Sequence, residues 1–152
     1  MKWLFLDCPY LCYRAHYSTG MLRNGEDPTG VLFGFLRDLV VLQKTHKTPH
    51  VAFCWDLGES LRRKVYPQYK ARKAPPTSEE LKARTELYRQ MEELRTHYLP
   101  RIGFRNIFAQ QGYEADDLLA VLCRQLREDE KAVIVSADRD LFQLLDSQVE
   151  MY

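Results

Sequence analysis

Seven carboxylates stand where the sequence pattern changes character. Asp7 closes the apolar run KWLFL, Asp56 follows HVAFCW, and Asp138 and Asp140 follow AVIV. Glu114, Asp116 and Asp117 open the helix-like stretch LLAVLCRQL. Gathered without counter-charge, such acids would repel and raise one another's pKa values. Hard divalent cations neutralise oxygen-rich clusters, and Mg2+ or Mn2+ suits carboxylate and water ligands. Two such ions roughly 4 Å apart can activate a water and stabilise the leaving oxygen of a phosphodiester, with no protein nucleophile required.

Spacing supports convergence in part. Asp138 and Asp140 are two apart, so in extended or turn backbone both side chains can point the same way. Glu114 and Asp117 are three apart and share a helix face. Asp116 leaves that face if the helix is regular from Glu114, and reaches the others only from an irregular first turn. Each acid also has a plainer reading: an Asp after a strand is often a turn former or helix cap, and helix N-termini favour acids. The whole set at predicted strand ends makes coincidence a poor account of it.

The net charge is only +1, but residues 62–73 hold six Lys/Arg and no acid. Arg62, Arg63, Lys64, Lys70, Arg72 and Lys73, with Tyr66 and Tyr69 among them, suit a single strand of nucleic acid. Cations track phosphates and aromatics stack bases at ~1–3 kcal/mol each. A solvated basic loop is the alternative. A basic strip facing an acidic pocket points to a phosphodiester substrate with metal between.

The elements that must position these groups alternate. Apolar runs at 2–6, 50–55, 104–109, 132–135 and 149–152 read as strands. Helical patterns follow Pro9, Thr29, Thr77 or Ser78, and Glu114, and LFQLL reads as a short helix after the turn at 136–140. Residues 18–28 read as loop or hairpin. Strands alternating with helices predict an α/β fold, a mainly parallel twisted sheet with helices on both faces. Such sheets bind ligands outside the carboxyl ends of their strands. The 152 residues suit one domain. No apolar run approaches a membrane span, and Asp7 breaks the first before it could serve as a signal, so the chain reads as cytoplasmic. The four cysteines form no CxxC pair, so neither zinc nor disulfides are expected.

The blocks LDCPYLCYRA, GEDPTGVLFGFL, CWDLGESLRR, YPQYKARKAPP, GYEADDLLA and SADRDLFQLL, in this order, resemble the 5′-nuclease domain at the N-terminus of bacterial DNA polymerase I and related phage and bacterial flap endonucleases. The resemblance covers nearly the whole chain. It implies a resolvase-like (PIN-like) sheet with a helical arch or mobile loop, two Mg2+ or Mn2+ ions, and cleavage of DNA at 5′ ends and flaps, often also of RNA in hybrids. It further implies that Asp7, Asp56, Glu114, Asp116 and Asp138 lie nearest one metal, with Asp117 and Asp140 completing the acidic centre. Arg14 matches a family arginine near the scissile phosphate. Lys70 and Tyr69 match residues at the base of the arch, where Lys70 would stabilise phosphate charge and Tyr69 stack on a base. The chain departs from the pattern at Cys8, where glycine is usual, and in YKARK, where Lys73 takes an arginine's place. It also stops where the family continues into a helix-hairpin-helix region, so a separate or missing partner domain of that kind is expected.

Two other functions share this fold: a non-catalytic DNA-structure-binding module or fragment needing its partner domain, and a PIN-type ribonuclease. The YKARK strip and the paired EADD and ADRD blocks favour the DNA enzyme. An aspartyl-phosphate phosphatase lacks its DxD, because Asp7 is followed by Cys8 and Pro9.

Overall fold

The computed structural model describes residues 1–70 and 75–152, so Arg72 and Lys73 lie outside the described residues. Strand β1 (Lys2–Asp7) runs into helix α1 (Cys8–Thr19) without a loop. Asp7 makes this possible: its backbone is extended, its carboxylate accepts from Tyr10 N at 3.1 Å, and Pro9 occupies the first turn. The stretch 18–28 resolves into a hairpin of β2 (Arg23–Asn24) and β3 (Asp27–Pro28), turned at Gly25 with φ 62°. Helix α2 (Gly30–His46) follows. Thr29 holds the cap position but its side chain makes no capping bond. Instead the buried Gln90 accepts from Val31 N at 2.9 Å and Leu32 N at 3.1 Å, so a distant helix satisfies these first N–H groups.

Strand β4 (Val51–Trp55) leads to a short helix α3 (Leu61–Val65) inside the basic strip, which the sequence pattern did not show. The next helix, α4 (Ser78–Glu93), begins with a capping box between Thr77 and Glu80. It continues through a π-helical stretch, Leu94–Tyr98, into α5 (Leu99–Arg101). Pro100 has no N–H and its ring crowds the preceding turn, so a widened turn just before it is physically reasonable. Strand β5 (Ile107–Ala109), helix α6 (Ala115–Arg124), strand β6 (Lys131–Val135), a 3-10 helix (Arg139–Leu144) and strand β7 (Val149–Met151) complete the order.

The five long-range strands all pair in parallel, in the order β5-β4-β1-β6-β7. Alternation along β1 sorts the core. Leu4 and Leu6 join Val51, Phe53, Val133 and Val135 beneath α1, α2 and α4. Phe5 joins Ala52, Cys54 and Ile134 beneath α6. Asp7 lies in register with Cys54 and so falls on the α6 side. Cys8, Cys12 and Cys54 are buried free thiols, and Cys123 is a half-buried one. No described helix is long and apolar enough to cross a membrane.

Phe53 is fully buried, with its ring centroid 4.9 Å from that of Phe104. Phe53→Ala is expected to cost about 3–5 kcal/mol of stability, read from urea denaturation midpoints. A loss below about 1 kcal/mol would refute the placement of this layer.

Candidate active site

The chain builds its sheet outward from β1 to β4 and β5, then crosses back to add β6 and β7 on the other flank. The crevice beyond the carboxyl ends of β1 and β6 is therefore the point where strand order reverses. Asp7 lies there. Ser136, just past β6, donates its hydroxyl to Asp7 Oδ2 at 2.6 Å, and Asp138 N donates to Ser136 Oγ at 3.1 Å. Asp138 caps the 3-10 helix, accepting from Asp140 N at 2.9 Å. From the end of β4, Asp56 accepts from Ala115 N at 2.7 Å and so ties β4 to the start of α6.

That start explains Asp116. Glu114 is extended (φ −94°, ψ 161°), and the helix is regular only from Ala115. Asp117 turns back so that Glu114 N donates to its Oδ2 at 3.0 Å. Asp116 instead meets the field of Asp7, Asp138 and Asp56. Glu114 is thus an extended N-cap residue outside the helix, and Asp116 sits in a regular first turn that begins one residue later than Glu114.

Burial pushes the Asp7 carboxyl up, against the Ser136 and Tyr10 hydrogen bonds, and Asp56 and Asp138 add repulsion. Loss of solvent also raises Asp56, with Glu114 and Asp117 adding to it against the pull of Ala115 N–H and Lys70. Asp116 is pushed up to about 6, by burial first and then by Asp7 and Asp138. Four carboxylates from four segments thus crowd one edge, with oxygen donors only. The donor chemistry fits a hard divalent cation. Among the described residues, no three His, Cys, Asp or Glu side chains already form a ligating cage. Mg2+ needs none, since it commonly takes one or two carboxylates and completes its shell with water and substrate phosphate.

Glu114 and Asp117 have a different environment. Glu114 Oε2 accepts from Lys70 Nζ at 2.8 Å and from Tyr69 Oη at 3.2 Å. Arg62 grips Asp117 with two nitrogens, at 2.6 and 3.1 Å, and stands 3.5 Å from Glu114. Burial raises the Glu114 pKa, but hydrogen bonds from Lys70 and Ser60 and the nearby Arg62 outweigh it and hold the carboxyl low. Lys70 reaches Glu114 from a left-handed backbone (φ 50°), a conformation uncommon for residues other than glycine. Its ammonium lies 5.3 Å from the Tyr69 ring centre, and the Arg62 guanidinium 5.9 Å. Arg63 braces this turn by donating to the carbonyls of Tyr69 and Lys70. Lys64 is exposed on α3. A cleft of about 300 Å³ opens among Asp56, Lys70, Tyr69, Arg84 and Glu114. A second, of about 360 Å³, is lined by Asp116, Asp117, Asp140, Arg62 and Arg124. Gly58, at φ 73°, lets the loop after β4 pass against Gln111, where a Cβ would lie 2.0 Å from Nε2.

Of the seven predicted acids, Asp7, Asp56, Asp116 and Asp138 repel one another, Glu114 and Asp117 are ion-paired, and Asp140 lines the second cleft with Asp116 and Asp117. Arg14 is placed elsewhere: its Nε stands 3.6 Å from Asp38 Oδ2 on α2. Sequence reasoning missed Ser136, Ser60 and Asp38. Ser136 had a usable signal, lying two residues before Asp138; Ser60 and Asp38 had none.

A parallel sheet with an acidic rim at its strand reversal is the resolvase-like class of α/β fold. The chain belongs to the family described as 5′-3′ exonuclease, N-terminal resolvase-like domain, whose model matches residues 2–152. The 5′-3′ exonuclease of Bacillus subtilis (strain 168) is 35% identical over 158 residues, covering 99% of this chain and 50% of its own length. Thermostable DNA polymerase I of Thermus filiformis is 31% identical over 149 residues, covering 97% and 17%. A bacteriophage T5 flap endonuclease, solved as a pseudo-enzyme–product complex with DNA and metal ions, aligns with a TM-score of 0.79 at 18% identity. That alignment covers 100% of this chain and 54% of the phage protein, and the likeness is one of fold. The chain thus spans half the length of one curated relative and a smaller share of the other.

Proposed function

We propose that the protein is a divalent-cation-dependent 5′-nuclease that hydrolyses DNA at 5′ ends and flaps. The convergence of Asp7, Asp56, Asp116 and Asp138 at the strand reversal carries this reading. The two relatives named above, an exonuclease and a DNA polymerase, support the reaction class. The DNA and metal ions in the T5 complex support the substrate and the cofactor.

Asp7, Asp56, Asp116 and Asp138 would hold two Mg2+ or Mn2+ ions, with Glu114, Asp117 and Asp140 completing the acidic rim. The ions supply an activated water and charge stabilisation at the leaving oxygen. The remaining work belongs to side chains. Ser136 orients Asp7 through its 2.6 Å hydrogen bond to Oδ2, while Oδ1 accepts from the Tyr10 N–H. Lys70 stabilises charge on the scissile phosphate, and the Tyr69 ring stacks on a neighbouring base. Arg62, Arg63 and Lys64 guide the strand, joined by Arg72 and Lys73 of the same basic strip. Arg14 meets a phosphate on the far flank. RNA strands in RNA–DNA hybrids, and a helix-hairpin-helix partner region that grips the duplex, complete the proposed set of partners.

The test is cleavage of an end-labelled 5′-flap duplex with Mg2+ or Mn2+ and with EDTA. Cation-dependent release of a short 5′ product is expected. Binding of the flap without cleavage would select the structure-binding reading, and faster cleavage of an RNA strand of the same sequence would select the ribonuclease.

A further inference from the structure

We propose that Asp38 is a positioning residue that sets Arg14 and Arg37 as a pair of backbone-phosphate contacts on the ridge between α1 and α2. The inference rests on the DNA reading above and extends it to a surface outside the acidic rim and the basic strip.

Asp38 is buried where the two helices cross, at 6% exposure. Arg37 donates to its Oδ1 from Nε at 3.0 Å and from Nη2 at 2.8 Å. Arg14 approaches its Oδ2 at 3.6 Å, too far for a hydrogen bond, and among the described residues that buried oxygen has no hydrogen-bond partner. The two arginine side chains remain 48% and 43% exposed. One sequestered anion thus stands between two half-exposed cations carried by adjacent helices.

A staple between helices is the simpler account, and the crossing does not need one. Leu11, Ala15, Phe35 and Leu39 already pack there as buried apolar groups. Thr19 Oγ1 bonds both Ala15 O at 3.0 Å and Gly30 O at 2.8 Å, and Gly34 packs so closely that a Cβ would lie 2.7 Å from that of Ala15. Sequestering a carboxylate at a joint already closed by apolar packing carries a desolvation penalty that apolar residues would avoid. What the carboxylate does supply is orientation. A guanidinium has five N–H donors. Arg37 spends two of its five on Asp38, and among the described residues Arg14 donates no hydrogen bond at all. The donors not spent on Asp38, on side chains 48% and 43% exposed, can act as forks of the kind that binds a phosphate with paired bonds. Arg14 lies seven residues beyond Asp7 on α1, on the order of 10 Å along the helix. At that reach from the end of β1 the two arginines would meet backbone phosphates of the same bound DNA rather than the phosphate to be cut.

The two accounts, and simple charge, predict different outcomes for Asp38→Asn. The substitution adds one unit of positive charge, so attraction alone predicts tighter DNA binding. A staple predicts a lower melting temperature with binding unchanged. A positioning role predicts weaker binding. The measurement is fluorescence anisotropy of the full chain with a labelled 5′-flap duplex in EDTA, from 50 to 200 mM salt. For Asp38→Asn we expect Kd about 3–10-fold higher at 100 mM salt and a log Kd against log salt slope shallower by about one. Arg37→Gln is expected to make the slope shallower by a similar amount, and the double variant to add little to either. Binding by Asp38→Asn that is equal or tighter, with a slope unchanged or steeper, overturns the proposal. If Asp38→Asn does not fold, Arg37→Gln decides alone, and an unchanged slope overturns it. A parent protein that does not bind the flap duplex removes the DNA reading and this inference together. A parent that binds while both variants match it removes only the inference.

Discussion

Asp116→Asn is expected to lower flap cleavage by at least about 10²-fold while making the cation-free protein more stable. The two signs share one cause. Burial first, and then crowding by Asp7, Asp138 and Asp56, push the Asp116 carboxyl up to about 6 against an ordinary 3.8. At neutral pH the group is ionised at a cost that would reach about 3 kcal/mol from the shift alone, and solvent screening brings this to the order of 1 kcal/mol. An amide of the same shape removes the repulsion, so the melting temperature without divalent ions should rise by roughly 2–4 °C. The same change deletes an anionic oxygen from the cation site. Activity and melting temperature measured on one preparation provide the check. Retained cleavage would refute the site. Lost cleavage with a lowered melting temperature would mean that Asp116 serves the fold instead.

The second large effect is the dependence of cation stabilisation on pH. Asp7, Asp56 and Asp116 all have folded-state pKa values above their unfolded ones. Each therefore contributes stability that is complete below its ordinary value and is lost as pH rises through the raised one, between about 4 and 6 for Asp116. Above that window the cation-free protein carries an ionised Asp116 in the field of Asp7, Asp138 and Asp56. A divalent cation binds the ionised form, so 10 mM Mg2+ should raise the melting temperature strongly at pH 8 and weakly at pH 5. At one hundred times Kd the gain is about 2.7 kcal/mol, or roughly 5–10 °C for a chain of this size. Equal shifts at both pH values, or none, would show that the carboxylates do not act as the ligands.

Much of this was legible before any coordinates. β1 and β4 could be read because buried parallel strands are short apolar runs, and α4 because Thr77 and Glu80 form a recognisable cap. The acids could be read because strand ends in such sheets are where ligands bind. The gaps have physical causes. Helix α3 spans only Leu61–Val65 and buries none of its residues, so no apolar period betrays it. Gln90 capping α2 and Asp56 capping α6 are contacts across about sixty residues, which local pattern cannot encode. The direction of Asp116 depends on one residue's ψ, at Glu114, and residue type alone does not fix that angle.

The central place of β1 in the sheet has a consequence for how the protein is made. Its first strand pairs on one side with residues 51–54 and on the other with 131–135. At about 5–20 residues per second of synthesis, the second flank of β1 waits on the order of ten seconds for its partner to leave the ribosome. For that interval an apolar strand shows an open hydrogen-bonding edge, a template for mispairing with another nascent chain. Assembly of the acidic rim, which needs both flanks, is therefore postponed until residues 131–140 have emerged. A chaperone that shields residues 1–50 would raise the yield of folded molecules without touching the finished protein.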